Sequence, residues 1–238
     1  MLRTGLAIGG AAALAPAGIS QTASSGAQLN QKLSQCKPKR DPLQALQAGN
    51  LRFAKAWQEI SSFSDPSVRI HQLQQHLRTH CLVDPNALAE GQRPWAAILT
   101  CADSRIPLEW VFGVGDGELF GVRSAGNTAF NEGIASLEYA VEKLGVSLIL
   151  VMGHSGCGAV QASLGQEPLS PLLENLIDQI RANTNGKNIL EEAIRANAIT
   201  VSRQLQMRSP QLKAAAESGR LDIRASMFNI RSGMIQIL

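Results

Sequence analysis

Apolar residues between 91 and 165 occur in two different patterns. The uninterrupted runs "PWAAILTC" (94–101) and "VSLILVMG" (146–153) predict strands that are buried on both faces. A further strand is predicted at Leu119–Arg123. Between the strands, "NEGIASLEYAVEKLG" (131–145) has apolar residues at helical spacing and ends at a glycine, and another helix is predicted after Cys157. This alternation indicates an α/β fold with a mainly parallel β-sheet flanked by helices.

Helical patterns also precede this core. Residues 41–60 predict a helix with Asp41 as its cap, and the Gly49-Asn50 pair is expected to break or bend it. Helical spacing continues over 66–80, and a short helix is predicted between Asp84 and Gly91.

After the core, helices are predicted over 169–181, 188–207 and 210–218. The closing stretch "LDIRASMFNIRSGMIQIL" alternates apolar and polar residues around Ser232-Gly233, which predicts two strands joined by a turn. Residues 31–238 are therefore expected to form one domain. Its parts are a helical arm (41–90), a core (91–165), and C-terminal helices with an edge hairpin (166–238).

Residues 1–30 are set apart as a signal-like or disordered N-terminus. Arg3 precedes an Ala/Gly-rich run and small residues follow, which resembles a secretory signal and favours a periplasmic or otherwise exported protein. A cytoplasmic location is the alternative. Cys36 and Cys81 would be expected to pair only in the exported case. No other apolar run approaches the roughly 18–20 residues of a membrane helix, so no membrane span is expected.

The overall composition excludes some partners. The net charge is +3 without a Lys/Arg-rich block, and aromatic residues make up only 4% of the chain, so we expect no nucleic-acid partner. Four cysteines in 238 residues are too few for a disulfide scaffold. The cysteines at strand ends are therefore candidates for chemistry.

Two clusters of polar residues follow predicted strands. Cys101, Asp103 and Arg105 occupy alternate positions after the first strand, and His154 and Cys157 follow the third. Parallel strands present such groups together at their carboxyl ends. Two thiolates and one imidazole are a ligand set typical of zinc.

Only three good ligands are present, which is typical of a catalytic zinc site with one place left for water. Asp103 is the candidate for a fourth ligand, but its neighbour Arg105 favours a role as hydrogen-bond acceptor that orients what the metal binds. His76 and His80 also have the i, i+4 spacing of a zinc pair, but a solvated helix face is the favoured interpretation.

The sequence resembles the beta-class carbonic anhydrases over roughly residues 41–238. The similarity lies in "CADSR" (101–105), "GHSGCG" (153–158), "GELFGVRSAGN" (117–127) and "SLEYAVEKLGV" (136–146). Gln92, nine residues before Cys101, matches a glutamine of the plant-like subtype, which the sequence resembles in this position. The resemblance implies an N-terminal arm that wraps a partner subunit, and a homodimer or higher even oligomer.

The resemblance also implies roles for single residues. Cys101, His154 and Cys157 would hold one Zn²⁺ per subunit, and Asp103 and Arg105 would form a catalytic dyad. Gln92 would hydrogen-bond the substrate. The substrate cleft would be lined by Phe120 and Tyr139, contributed across the dimer interface, together with Ala125 and Gly158. In a closed state, Asp103 would itself ligate the zinc and displace the water.

The implied function is zinc-dependent, reversible hydration of carbon dioxide to bicarbonate and a proton, a reaction of carbon utilization. Two alternatives stay open. The same site would serve a COS or CS₂ hydrolase, and a catalytically silent zinc-binding scaffold would have lost Asp103, Arg105 or Gln92. All three residues are present, which counts against the scaffold.

Overall fold

Five strands form a single sheet in the computed structural model, which describes residues 25–77, 80–184 and 186–238. The strands are β1 (Ala96–Cys101), β2 (Leu119–Ser124), β3 (Leu148–His154), β4 (Asp222–Asn229) and β5 (Met234–Ile237). Their order across the sheet is β2-β1-β3-β4-β5. The first four are parallel and β5 pairs antiparallel with β4, so the predicted α/β class and the edge hairpin are confirmed.

Helices precede the sheet and cover both of its faces. The bounds are α1 Gly26–Leu33, α2 Pro42–Ser61, α3 Pro66–Leu77, α4 Pro85–Glu90, α5 Leu108–Phe112, α6 Asn131–Glu142, α7 Gly158–Leu164, α8 Pro171–Asn183, α9 Leu190–Arg208 and α10 Pro210–Glu217. A single 3₁₀ turn, Ala125–Asn127, follows β2. Within these described ranges, no helix has the length and hydropathy needed to cross a membrane.

The central strands β1 and β3 are buried along their whole length, as their uninterrupted apolar runs predict. Successive residues point to opposite faces, so Ile98 packs with Phe112 and Val160 on one side while Leu99 packs with Leu137 on the other. Both faces are thus covered by helices. This rigid centre fixes the positions of the strand ends that carry the polar clusters.

Helix α2 runs without interruption through Gly49-Asn50, so the predicted break is wrong. The glycine is needed for close packing, because a Cβ at Gly49 would lie 1.7 Å from the carbonyl oxygen of Phe112. The buried Asn50 amide donates to the carbonyls of Val111 (3.1 Å) and Gly233 (2.8 Å). Both residues therefore attach the helix to the domain.

Helix α2 starts at its predicted cap, and α4 starts where a short helix is predicted. The Asp41 carboxylate accepts a hydrogen bond from the Gln44 backbone N–H at 3.0 Å, and Asp84 caps α4 in the same way through Asn86. Helix α1 begins at Gly26, inside the stretch expected to be signal-like or disordered. Residues 1–24, which carry the signal-like pattern, lie outside the described residues.

A disulfide joins Cys36 to Cys81, with Cα atoms 5.6 Å apart. It links the chain after α1 to the segment before α4, and these two helices also pack against each other through Leu33 and Ala87. The disulfide thus closes a covalent loop that contains α2 and α3.

The expectation of a solvated face at His76 and His80 is wrong. His76 is only 6% exposed, and its ring lies 6.0 Å from that of Phe53 on α2. The two histidine rings meet edge to face at 5.0 Å. Packing of α3 against α2 buries His76, and His80 is half-buried, which the spacing of the histidines alone does not reveal.

Candidate active site

The ends of two adjacent parallel strands bring the two polar clusters together. Cys101 is the last residue of β1, and His154 is the last residue of β3. Cys157 lies three residues after His154, at the position that precedes the first residue of α7. The three possible ligand atoms lie within 4.8 Å of one another, and the two sulfurs are 3.9 Å apart. All three side chains are buried.

The chemistry of this cluster fits a zinc ion. The Nδ1 atom of His154 lies 3.1 Å from the carbonyl oxygen of Ser155, so this nitrogen donates its proton there and Nε2 is left as an acceptor. Nε2 is buried and has no hydrogen-bond partner among the residues described. A buried imidazole nitrogen without a partner, beside two sulfurs, is a donor set for a tetrahedral cation with one position left over.

The two thiols cannot ionise equally without a cation. A hydrogen bond from Cys157 lowers the pKa of the Cys101 thiol to about 4, and the backbone N–H of Gly126 also donates to this sulfur at 3.3 Å. The same contact with Cys101 raises the pKa of Cys157, because a second negative charge would lie beside the first. A divalent cation would favour the deprotonated form of both.

Asp103 and Arg105 form a bidentate ion pair beside the cluster. Arg105 Nε donates to Oδ1 at 2.8 Å and Nη2 donates to Oδ2 at 2.7 Å. The hydrogen bonds from Arg105 hold the pKa of the Asp103 carboxyl well below its usual range. Oδ2 lies 3.7 Å from the unpartnered Nε2 of His154. The carboxylate is thus an oriented acceptor at the edge of the cluster.

Arg123 was missed by sequence reasoning. It lies on β2, and its guanidinium donates to the backbone carbonyls of Cys101 (3.2 Å), Asp103 (2.8 Å) and Ile106 (3.0 Å). These bonds fix the loop that carries both the first sulfur and the dyad. The available signal was an arginine at the end of a strand that neighbours the cluster.

A sequence model described as "Carbonic anhydrase" matches residues 96–235, which include every member of this cluster. Among solved structures, the chain is similar to tetrameric beta-carbonic anhydrases from the ascomycete Sordaria macrospora. The TM-score is 0.58 at 26% identity, over 64% of this chain and 84% of that one. The chain belongs to the beta-class carbonic anhydrases.

Two further relatives agree with this assignment to a family of enzymes. The carbonic anhydrase of Mycolicibacterium smegmatis is 32% identical over 161 residues, which are 63% of this chain and 78% of that protein. The beta-carbonic anhydrase CcaA is similar with a TM-score of 0.59 and 28% identity, over 64% of this chain and 76% of that one.

Ala125 and Gly158 lie next to the cluster in this carbonic anhydrase chain. Ala125 begins the 3₁₀ turn in which Gly126 donates to the sulfur of Cys101. Gly158 follows Cys157 and is exposed, and a Cβ built there would meet nothing within 4 Å. Open space is therefore present directly beside the third ligand.

Gln92, Phe120 and Tyr139 are not brought to the cluster within one chain. Gln92 precedes the start of β1, whereas Cys101 ends it. Phe120 pairs with Ala97 near the same start, roughly 13 Å along β2 from Ser124 at the metal end. The Tyr139 ring lies 6.5 Å from that of Phe120 and is 49% exposed. Phe120 and Tyr139 thus meet near the opposite end of the strands, and Gln92 precedes β1 at that same end.

Proposed function

We propose that this carbonic anhydrase catalyses the reversible hydration of CO₂ to bicarbonate at one Zn²⁺ per subunit, held by Cys101, His154 and Cys157. The observation that carries the proposal is the buried, unpartnered Nε2 of His154 beside two sulfurs, with all ligand atoms within 4.8 Å. Zinc in such a site supplies the Lewis acidity that activates water near neutral pH.

Asp103 orients the attacking water. Both carboxylate oxygens accept hydrogen bonds from Arg105. Oδ2 is the oxygen that lies 3.7 Å from His154 Nε2, and its remaining lone pair can accept a further hydrogen bond. A water that donates to this oxygen would keep a lone pair on the side away from the carboxylate, where it could attack the carbon of CO₂. Arg105 is itself anchored to the Gly156 carbonyl at 3.1 Å, which limits rotation of the pair.

The closed state, with Asp103 on the metal, remains a prediction. It would require the carboxylate to turn away from a bidentate partner, and charge-assisted pairs of this geometry are among the stronger hydrogen bonds in proteins. The paired arrangement therefore favours the open site.

A second copy of the chain would complete the substrate cleft. Gln92, Phe120 and Tyr139 lie at the far end of the strands from their own metal cluster, so they would serve the site of a partner in a homodimer or a higher even oligomer. The similar enzymes from Sordaria macrospora are tetrameric. Gln92 would donate to the developing negative charge on the bicarbonate oxygen, and its presence supports the plant-like subtype.

Stopped-flow measurement of CO₂ hydration, with zinc quantified on the same sample, tests the proposal. One zinc per chain and hydration that is lost on chelation are expected. The same samples are assayed with CS₂. Hydrolysis of CS₂ without CO₂ hydration would replace the proposal with a hydrolase, and zinc without either activity would replace it with a scaffold.

We also propose that the protein is exported, to the periplasm or an equivalent oxidising compartment. The Cys36–Cys81 disulfide supports this location, because such bonds persist mainly in oxidising compartments. Mass spectrometry of the protein from its native cells tests it. A cleaved N-terminus and two unreactive cysteines are expected, whereas an intact Met1 and four free thiols would indicate the cytoplasm.

A further inference from the structure

A cavity of about 700 Å³ opens beside Arg105. Its walls come from the end of α2, from Arg69 on α3, from the Ser155-Gly156 loop, and from the β4–β5 turn at 229–231. This volume falls in the range of sites that hold small organic molecules, and is far larger than CO₂ or bicarbonate needs.

Three arginines make the cavity lining basic. Arg69, Arg105 and Arg231 all line it, and the described residues of its lining include no carboxylate. Arg105 is balanced by Asp103. Hydrogen bonds from Ser67 are the main cause that lowers the pKa of the Asp65 carboxyl, and the charge of nearby Arg69 lowers it further. Arg231 forms no ion pair within the described part of the chain. At least one guanidinium is therefore available to an anion.

Apolar side chains form part of the wall. Trp57, Ile60 and Ile230 line the cavity, and the indole N–H of Trp57 is already used by the Ile230 carbonyl at 2.9 Å. The hydroxyl oxygen of Ser155 accepts from the Ile230 N–H at 3.0 Å, which leaves its proton to be donated. The lining therefore suits a ligand with an anionic end and an apolar body.

The cavity is held open by bonds between its walls. Gln58 on α2 donates to the Ser232 carbonyl at 3.1 Å, and Asn50 donates to the Gly233 carbonyl at 2.8 Å. These contacts fix the β4–β5 turn that carries Arg231 against the helix that carries Trp57. A site whose walls are already ordered loses less entropy when a ligand binds.

We propose that this cavity is a second binding site, separate from the metal centre, for a small organic anion. The anion would be a carboxylate or phosphate monoester with an apolar body about the size of one aromatic ring. Its charged end would contact Arg69 and Arg231, and its body would lie against Trp57. Arg105, which lines the cavity and pairs with Asp103, would connect the occupied cavity to that carboxylate.

Isothermal titration calorimetry of the full chain tests the site directly. The probes are phenyl phosphate and benzoate, which separate the two classes of anion, with inorganic phosphate as the probe that lacks an apolar body. We expect one site per chain, tighter binding of an aromatic anion than of inorganic phosphate, and weaker binding as salt is added. R231Q and R69Q should each weaken binding at least tenfold.

The matched control is R203Q, which removes an exposed arginine on α9 that does not line the cavity. Binding that R203Q keeps and R231Q loses belongs to the cavity. Equal binding by all variants would place the anion outside the cavity and overturn the proposal, as would absence of binding at millimolar concentrations. The readout is heat of binding rather than CO₂ hydration, so failure here is distinct from failure of the proposed function.

Discussion

The guanidinium of Arg105 and the carboxylate of Asp103 make two parallel hydrogen bonds, at 2.8 and 2.7 Å, next to the unpartnered ring nitrogen of His154. The pair lies outside the set of three ligand atoms but 3.7 Å from one of them. Under the proposed function, the three ligands would bind the metal and the pair would orient the water, so the two functions should be separable by mutation.

D103N should keep the zinc and lower kcat for CO₂ hydration on the order of 100-fold, because an amide no longer pairs with Arg105 as a carboxylate does. Stopped-flow kinetics and metal analysis of the same preparation check this. The matched control is D222N. Asp222 pairs with Arg224 at the start of β4, whereas the end of β4 lies beside His154. D222N should retain parental kcat. Parental kcat in D103N would contradict the assigned role.

Mixed dimers should regain activity that neither parent has. Q92A keeps its metal ligands but offers its partner no glutamine, whereas C157S loses its metal but keeps Gln92. In a mixed dimer, the zinc of the Q92A chain faces the intact Gln92 of the other chain. Purified mixed dimers, separated by two affinity tags, should show about half the parental kcat per dimer, since one of two sites is complete. If the mixed dimer is no more active than the Q92A and C157S homodimers, cross-subunit completion is contradicted.

G49A should destabilise the protein by about 3 kcal/mol, because the new methyl group would overlap the Phe112 carbonyl and push α2 away. Urea denaturation followed by circular dichroism measures the change in the free energy of unfolding. G165A is the matched control, since a Cβ there would lie 3.6 Å from its nearest neighbour. A similar small change in both variants would refute the close-packing explanation.

Stability should fall as the pH drops below about 6.5, in part through His76 and His80. Burial is the main cause that lowers the pKa of each below its ordinary value of 6.5, and Arg52 adds to the effect. The unfolded chain therefore binds protons at a higher pH than the folded chain does, so protonation favours unfolding. Between pH 7 and 5, the unfolding free energy of H76Q should fall less steeply than that of the parent. A slope in H76Q equal to that of the parent would contradict this contribution.

Much of the fold could be predicted from the sequence, because buried parallel strands and capped helices leave strong local patterns. The two buried strands that lead to Cys101 and His154 are predicted, and so are the cap at Asp41 and the short helix that follows Asp84. The continuity of α2 could not be predicted, because Gly49 is explained by a carbonyl from a helix 63 positions later in the chain, at Phe112. Tertiary contact outweighed local propensity there.

The site likewise has parts that the sequence predicts and parts that depend on tertiary contacts. The cluster and the dyad were predictable because two short motifs follow two adjacent strands. The role of Arg123 was not, since its three acceptors are backbone carbonyls and leave no trace in residue identity. The burial of His76 likewise depends on the packing of α3 on α2, which spacing does not encode.

X-ray absorption spectroscopy at the zinc edge, on the active enzyme, tests the central claim most directly. The account predicts one zinc per chain with two sulfurs at about 2.3 Å, one imidazole nitrogen at about 2.0–2.1 Å and one oxygen. C157S should lose this signal together with CO₂ hydration. An active enzyme without metal, or zinc bound by a different set of protein ligands, would contradict the account.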